Sequence, residues 1–230
     1  MLMHGVLTAV LFGVEGPTAR LVRPRIQDGM WKEAKIGFCG GLAGGFVQSF
    51  MCTPIELAMI RTQHLQVGST SHSYKGKWAT FKDIYRRGGI RGCYRGFWVT
   101  ALRDSLGFAI YFASYETQMH FIAQRKGISK EELSKMIGYP FICGGITGMV
   151  ATTLICPIDF VKTRVLINGI DGTKVYQSSW NCFLKAWREG GVRILYRGLT
   201  PSLMRAFIGS SFLFAAVEMS KRFLHRVLIS

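Results

Sequence analysis

The sequence predicts an all-α membrane protein built from tandem repeats of roughly a hundred residues, and three observations carry that expectation. The 230 residues are 49% hydrophobic and only 18% charged, with a mean hydropathy of +0.21. A soluble domain carries about 25% charged residues, so too few are present to coat a globule. Apolar stretches near Lys35–Arg61, Phe97–Phe121, Lys135–Arg164 and Leu199–Leu224 each exceed the roughly 20 residues that cross a bilayer as helix. The landmarks of one part of the chain also return in the next.

The repeat fixes the order of the elements. Cys52-Thr53-Pro54-Ile55-Glu56-Leu57 returns as Ile155-Cys156-Pro157-Ile158-Asp159-Phe160, an offset of 103 residues (157 − 54). Trp78, Phe81, Gly96 and Arg103 return as Trp180, Phe183, Gly198 and Arg205, an offset of 102 (180 − 78). Glu116 returns as Glu218 and is anticipated by Glu15. Each unit opens with an apolar helix whose close-spaced glycines, Gly40-Gly41 and Gly144-Gly145, let helix backbones approach in lipid. Pro54 and Pro157 remove a backbone donor inside those helices and are expected to kink them. A polar loop follows, then a short amphipathic helix near Trp78–Arg86 and Trp180–Arg188. Tyr94-Arg95-Gly96 and Tyr196-Arg197-Gly198 then introduce the second apolar helix. About five transmembrane helices result. Residues 1–28 read as a partial first repeat, the end of a second helix that stops at Glu15-Gly16-Pro17. Residues 29–128 and 129–230 read as the second and third repeats.

Charge and cysteine usage narrow the function classes. Lys and Arg number 29 against 13 Asp and Glu, a formal charge of +16. The cations gather in Tyr85–Arg95 and Trp187–Arg197 between apolar stretches, with no continuous basic face and no zinc-finger, RNA-binding or helix-turn-helix pattern. That excludes nucleic acid as a partner and fits cationic loops against anionic lipid. Cys39, Cys52, Cys93, Cys143, Cys156 and Cys182 form no CxxC pair and no metal-ligand spacing, so they are expected to be unpaired and reduced. The five histidines form no cluster. No nucleophile–base pair, phosphate loop or metal set supports an enzyme or a cofactor. No basic segment followed by a short apolar core and cleavage site opens the chain, so any targeting signal is expected within it.

Taken together, these motifs resemble the mitochondrial carrier family over essentially the whole length. That family's signature is Pro-x-acid-x-x-basic-x-basic. Pro157, Asp159, Lys162 and Arg164 fit it fully; Pro54, Glu56 and Arg61 fit it with Met59 where the first base belongs. The resemblance implies repeats of two kinked transmembrane helices and a short matrix helix, arranged about a pseudo-threefold axis, with solute bound midway. It also implies a monomeric multi-pass protein of the mitochondrial inner membrane working by alternating access, without a cofactor. By that standard the first helix, the first matrix segment and the start of the second helix are missing. A fragment, a splice form and a mis-called start codon stay open, and five helices would leave one wall of the cavity open.

The resemblance also implies roles. The signature residues Glu56, Arg61, Asp159, Lys162 and Arg164 would form a matrix gate, with Glu56 paired to Lys162 and Asp159 left without its partner. Glu116, Glu218 and Lys221 would form a cytoplasmic gate, thinned because Met119 offers no base. Arg95, Gly96, Arg197 and Gly198 would receive lipid phosphate, cardiolipin in particular, at the start of each even helix. Substrate would meet Arg103, Asp104 and Arg205. Arg103 can hold a carboxylate in its fork and Asp104 can face an ammonium, which suits a small zwitterion. A purely structural Arg103–Asp104 pair, and gate residues that snorkel to the interface, remain alternative readings. Leu11-Phe12-Gly13-Val14 and Pro54-Ile55-Glu56-Leu57-Ala58 are similar to the basic amino acid branch, while Arg103-Asp104 and Arg205-Ala206-Phe207 also occur in the carnitine branch. The function expected is therefore exchange of a basic amino acid or a carnitine-like solute. The alternative is a truncated, non-transporting form that partners a complete carrier.

Overall fold

The structure, a computed structural model, describes residues 2–26, 31–68, 76–136, 138–168, 176, 178–210 and 212. It is helical throughout: α1 (Leu2–Val22) with a 3-10 turn at Arg23–Arg25, α2 (Lys32–Gly68), α3 (Lys77–Cys93), α4 (Phe97–Lys126), α5 (Lys130–Lys135), α6 (Gly138–Ile167) and α7 (Ser179–Leu195), with helix resuming over 199–210. No strand occurs among the described residues. Within α2, Lys32–His64 is long and apolar enough to cross a membrane, and so is the whole of α6. The 30 residues of α4 also have the length, but they carry Arg103, Asp104 and Glu116 inside the helix.

Several helices outrun their expected ends. α1 does not stop at Pro17 but continues to Val22. Proline withholds a single donor, and Ala19, Arg20 and Leu21 are good helix formers that carry the next turn. α2 and α6 run through Pro54 and Pro157. At Pro54 the carbonyl left without a helical donor is that of Phe50, four residues back, and the hydroxyl of Tyr94 donates to it at 3.2 Å. The aromatic that opens the Tyr-Arg-Gly element thus repairs the break that the proline makes. Ser49 and Thr53 give their hydroxyls to the carbonyls of Gly45 and Ser49, so the buried polar side chains of this helix face are satisfied within it.

Gly96 and Gly198 mark the same corner in two repeats, with φ +83° and +88° ahead of α4 and of the 199–210 helix. A side chain at Gly96 would also collide with Leu166, whose Cδ1 lies 2.8 Å from the position of a Cβ.

Two compact units arise, each drawing on all three segments of the chain. One comprises Met1–Val14, Gly44–Leu106 and Cys156–Arg197. Its core gathers Leu57, Ala58, Ile84, Cys93 and Leu166, with Ile60 and Phe81 packed against them. The backbone of α2 meets that of α4 in this unit at Gly45, where a Cβ would stand 2.7 Å from the Asp104 carbonyl oxygen. The other unit comprises Glu15–Ala43, Gly107–Ile155 and Gly198–Ser230. Its core is Met119, Ala123, Leu133 and Cys143, ringed by Tyr115, Ile122, Ile128 and Tyr139.

In this second unit α4 ends in a Schellman motif: Gly127 N–H donates to Gln124 and Ile128 N–H to Ala123, with Gly127 at φ +63°. A capping box opens α5, in which Ser129 Oγ accepts from Glu132 N–H and the Glu132 carboxylate accepts from Ser129 N–H. Ser129→Ala is expected to cost about 1 kcal/mol. In a thiol-reactive dye melt that reads exposure of buried Cys143, the midpoint should fall by roughly 2–4 °C, and Ser129→Asp should recover most of it.

Candidate functional site

The first unit holds a chain of five charged side chains built from three helices. α4 supplies Arg103 and Asp104, α6 supplies Asp159 and Lys162, and α2 supplies Glu56. Successive residues on a helix point about 100° apart, so Arg103 and Asp104 face different neighbours from one turn. Arg103 Nε donates to Asp159 Oδ1 at 2.9 Å and its Nη1 to Asp104 Oδ1 at 3.1 Å. Lys162 Nζ reaches the same Asp104 oxygen at 3.5 Å and forms an ion pair with Glu56. The order is Asp159–Arg103–Asp104–Lys162–Glu56.

Burial grades along this chain. The side chains of Asp104 and Lys162 are 3% and 4% exposed, whereas Arg103 is 33% and Asp159 47% exposed. Three carboxylates face two cations, so the cluster carries one uncompensated negative charge. Cys52 adds a buried thiol whose sulfur lies within 4.8 Å of carboxylate oxygens of Glu56 and Asp104. These three groups have the chemistry of a metal site, but the Lys162 ammonium already pairs with both carboxylates.

The expected gate residues therefore divide. Glu56 and Lys162 do come together. Asp159 is not left unpartnered: Arg103, expected to meet solute or to pair with Asp104, is its partner. Repeat register matches signature residues with one another, and it misses a long guanidinium that reaches across from α4. Arg61 Nε donates instead to the backbone oxygen of Leu166 at 3.2 Å, and no carboxylate pairs with it among the described residues. Arg164 turns to α7 and its approach, with Nη1 3.2 Å from the Tyr176 hydroxyl and 3.6 Å from Glu189 Oε2, and stacks on Phe160. Arg61 and Arg164 thus stand outside the cluster. Arg103 and Asp104 do pair with each other, but within a network rather than as an isolated structural pair.

Other sequence candidates lie elsewhere. Arg205 is in the second unit, exposed on the 199–210 helix. Glu116, also in the second unit, lies beside Gly37, where a Cβ would stand 3.4 Å from its Cγ. Met119, which replaces a base there, is 1% exposed in the core of that unit. Glu218 and Lys221 lie outside the described residues. Arg95 and Gly96 line a cavity of about 270 Å³ with Tyr94, Asn168, Tyr176 and Ser178. Arg197 is exposed at the end of the corresponding turn after α7. All six cysteines are free, and burial pushes the Cys93 and Cys182 thiols above their ordinary range, which keeps them protonated and unreactive.

Sequence comparison adds a second line of observation. The profile of the family described as mitochondrial carrier protein matches residues 31–126 and 134–228. The chain is 32% identical over 211 residues to the mitochondrial basic amino acids transporter of Bos taurus, covering 92% of this chain and 66% of that protein. It is 36% identical over 186 residues to the mitochondrial arginine transporter BAC2 of Arabidopsis thaliana, covering 80% and 57%. Against the mitochondrial ornithine transporter 1 of Rattus norvegicus it is 30% identical over 224 residues, covering 93% and 71%. The chain thus spans a little under two thirds of the length of the first of these relatives.

Proposed function

The chain belongs to the mitochondrial carrier family, and from that premise we propose that it exchanges amino acids with a cationic side chain across the membrane by alternating access. It is a multi-pass protein of the mitochondrial inner membrane, as its family is.

The observation that carries the substrate class is the charge balance of the cluster. Three carboxylates against two cations leave one negative charge in a cluster that is buried at Asp104 and Lys162 and opens to solvent at Asp159. Arginine, lysine and ornithine carry two cations and one carboxylate at neutral pH, a net charge of one that neutralises it. Carnitine is net neutral and leaves the imbalance in place. The solute carboxylate meets Arg103, and its cationic groups meet the acids of the cluster, Asp104 among them. The named relatives are transporters of basic amino acids, arginine and ornithine, which supports the same class. The signature pair Glu56–Lys162 belongs to the matrix gate. The cavity at Arg95 and Gly96 suits an anionic lipid headgroup such as that of cardiolipin, with Arg197 and Gly198 in the corresponding role one repeat later.

The test is exchange by the purified chain in cardiolipin-containing liposomes preloaded with L-arginine. External arginine, lysine and ornithine should each compete for uptake at least about tenfold better than carnitine, a difference of about 1.4 kcal/mol. Equal competition by carnitine, or no exchange at all, would overturn the reading.

A further inference from the structure

We propose that Gln48 is a solute-contacting residue, whose side-chain oxygen accepts a hydrogen bond from the α-ammonium group of the bound amino acid. This rests on the substrate reading above.

The starting point is a buried acceptor with no donor. Gln48 lies in α2 and is 9% exposed, and its Oε1 is buried without a hydrogen-bond partner among the described residues. An amide oxygen left so costs stability. Ser49 and Thr53, on the adjoining face, settle their hydroxyls on carbonyls of their own helix. That route is closed to Gln48 Oε1, which needs a donor, because the N–H groups of a helix interior are already spent on carbonyls. Its donor has to come from outside α2.

The position of Gln48 says where that donor sits. Gly45, Gln48, Cys52 and Glu56 follow one another at spacings of three and four residues, which places them on one face of α2. A Cβ at Gly45 would stand 2.7 Å from the Asp104 carbonyl oxygen. Cys52 Sγ lies within 4.8 Å of carboxylate oxygens of Asp104 and Glu56. The two neighbours of Gln48 on its face thus both adjoin Asp104, and at about 1.5 Å per residue Gln48 is little more than a turn from either.

Asp104 is also the partner of Arg103, which meets the solute carboxylate. In an amino acid the carboxylate and the α-ammonium share one carbon, so a carboxylate on Arg103 holds the ammonium beside Asp104. An ammonium has three N–H donors, and each needs an acceptor once water is gone. Asp104 Oδ1 already serves Arg103 and Lys162. A neutral amide oxygen adds an acceptor without adding charge to a cluster whose single excess the solute already neutralises. The side-chain cation, several bonds away, meets acids further along the cluster.

The experiment is a titration of the purified full chain with L-arginine, read as the rise in its unfolding midpoint. Gln48→Met keeps the length and removes the acceptor without changing charge. It should raise the half-saturating arginine concentration roughly tenfold to a hundredfold. The midpoint without ligand should stay level or rise by roughly 2–4 °C, since an unpaired buried group has been removed. A merely structural role for Gln48 would lower it. Gln48→Leu gives a second reading should the methionine variant not fold. For 5-guanidinopentanoate, which is arginine without its α-ammonium, the wild-type chain and Gln48→Met should respond alike. Unchanged arginine affinity in both variants, or an equal loss for arginine and 5-guanidinopentanoate, overturns the assignment and leaves the substrate reading standing. Were the wild-type chain itself indifferent to arginine, the substrate reading would fail and the assignment with it.

Discussion

Arg103→Ala is expected to abolish saturable arginine exchange and to leave a folded protein. The two parts of this expectation have separate causes. Arg103 is the donor that a solute carboxylate can meet two-handed, and removing one partner of a desolvated charge pair costs about 2–5 kcal/mol. That corresponds to a loss of roughly thirtyfold to several thousandfold in affinity. The fold survives because the two acids that Arg103 leaves behind are provided for. Asp159 is exposed enough to be hydrated, and buried Asp104 keeps the 3.5 Å contact to Lys162, so the melting midpoint should fall without the transition being lost. Uptake in liposomes at several arginine concentrations, alongside a dye-detected melt of the same preparation, separates the two effects. Undiminished uptake would remove Arg103 from the solute site. A collapse of the melt would make its role structural instead.

The competing demands on Arg103 were not legible in the sequence, and the reason is physical. Periodicity and repeat register report which residues share a depth and a face within a helix. Pro54 and Pro157 and the Tyr-Arg-Gly corners with Gly96 and Gly198 are repeat landmarks of that kind, whereas the Glu56–Lys162 pairing was implied by the family resemblance, and the two side chains do form an ion pair. Contacts between helices depend on how closely backbones approach. Gly45 against the Asp104 carbonyl fixes the approach of α4 to α2, and neither a charge pattern nor a repeat offset contains that distance. Arg103 reaching Asp159 across 56 positions and Lys162 serving two acids at once are consequences of such approaches. One contact of this kind had an unused signal. A proline inside a helix frees the carbonyl four residues earlier, so the Phe50 oxygen needed a donor, and Tyr94 at the head of the following helix was a candidate.

Lys162→Met is expected to produce the largest loss of stability from a single substitution in the cluster. Lys162 is 4% exposed and lies between two carboxylates, and methionine matches its length without its charge. Glu56 then has no cation in the cluster, while Asp104 retains only Arg103, which Asp159 also holds. Two negative charges would face each other near Cys52 with nothing between them. Breaking a buried pair by removing one partner typically costs about 3–5 kcal/mol, and for a chain of this size each kcal/mol moves the midpoint by roughly 2–4 °C. The melt should therefore shift down by roughly 6–20 °C, with Cys52 becoming dye-reactive early. Adding Glu56→Gln to the same chain tests the cause. With one carboxylate neutralised, Asp104 and its arginine no longer face an orphaned partner, and a large part of the lost midpoint should return. If the double variant were no more stable than Lys162→Met alone, the loss would come from packing around the lysine stem rather than from the unpaired charges.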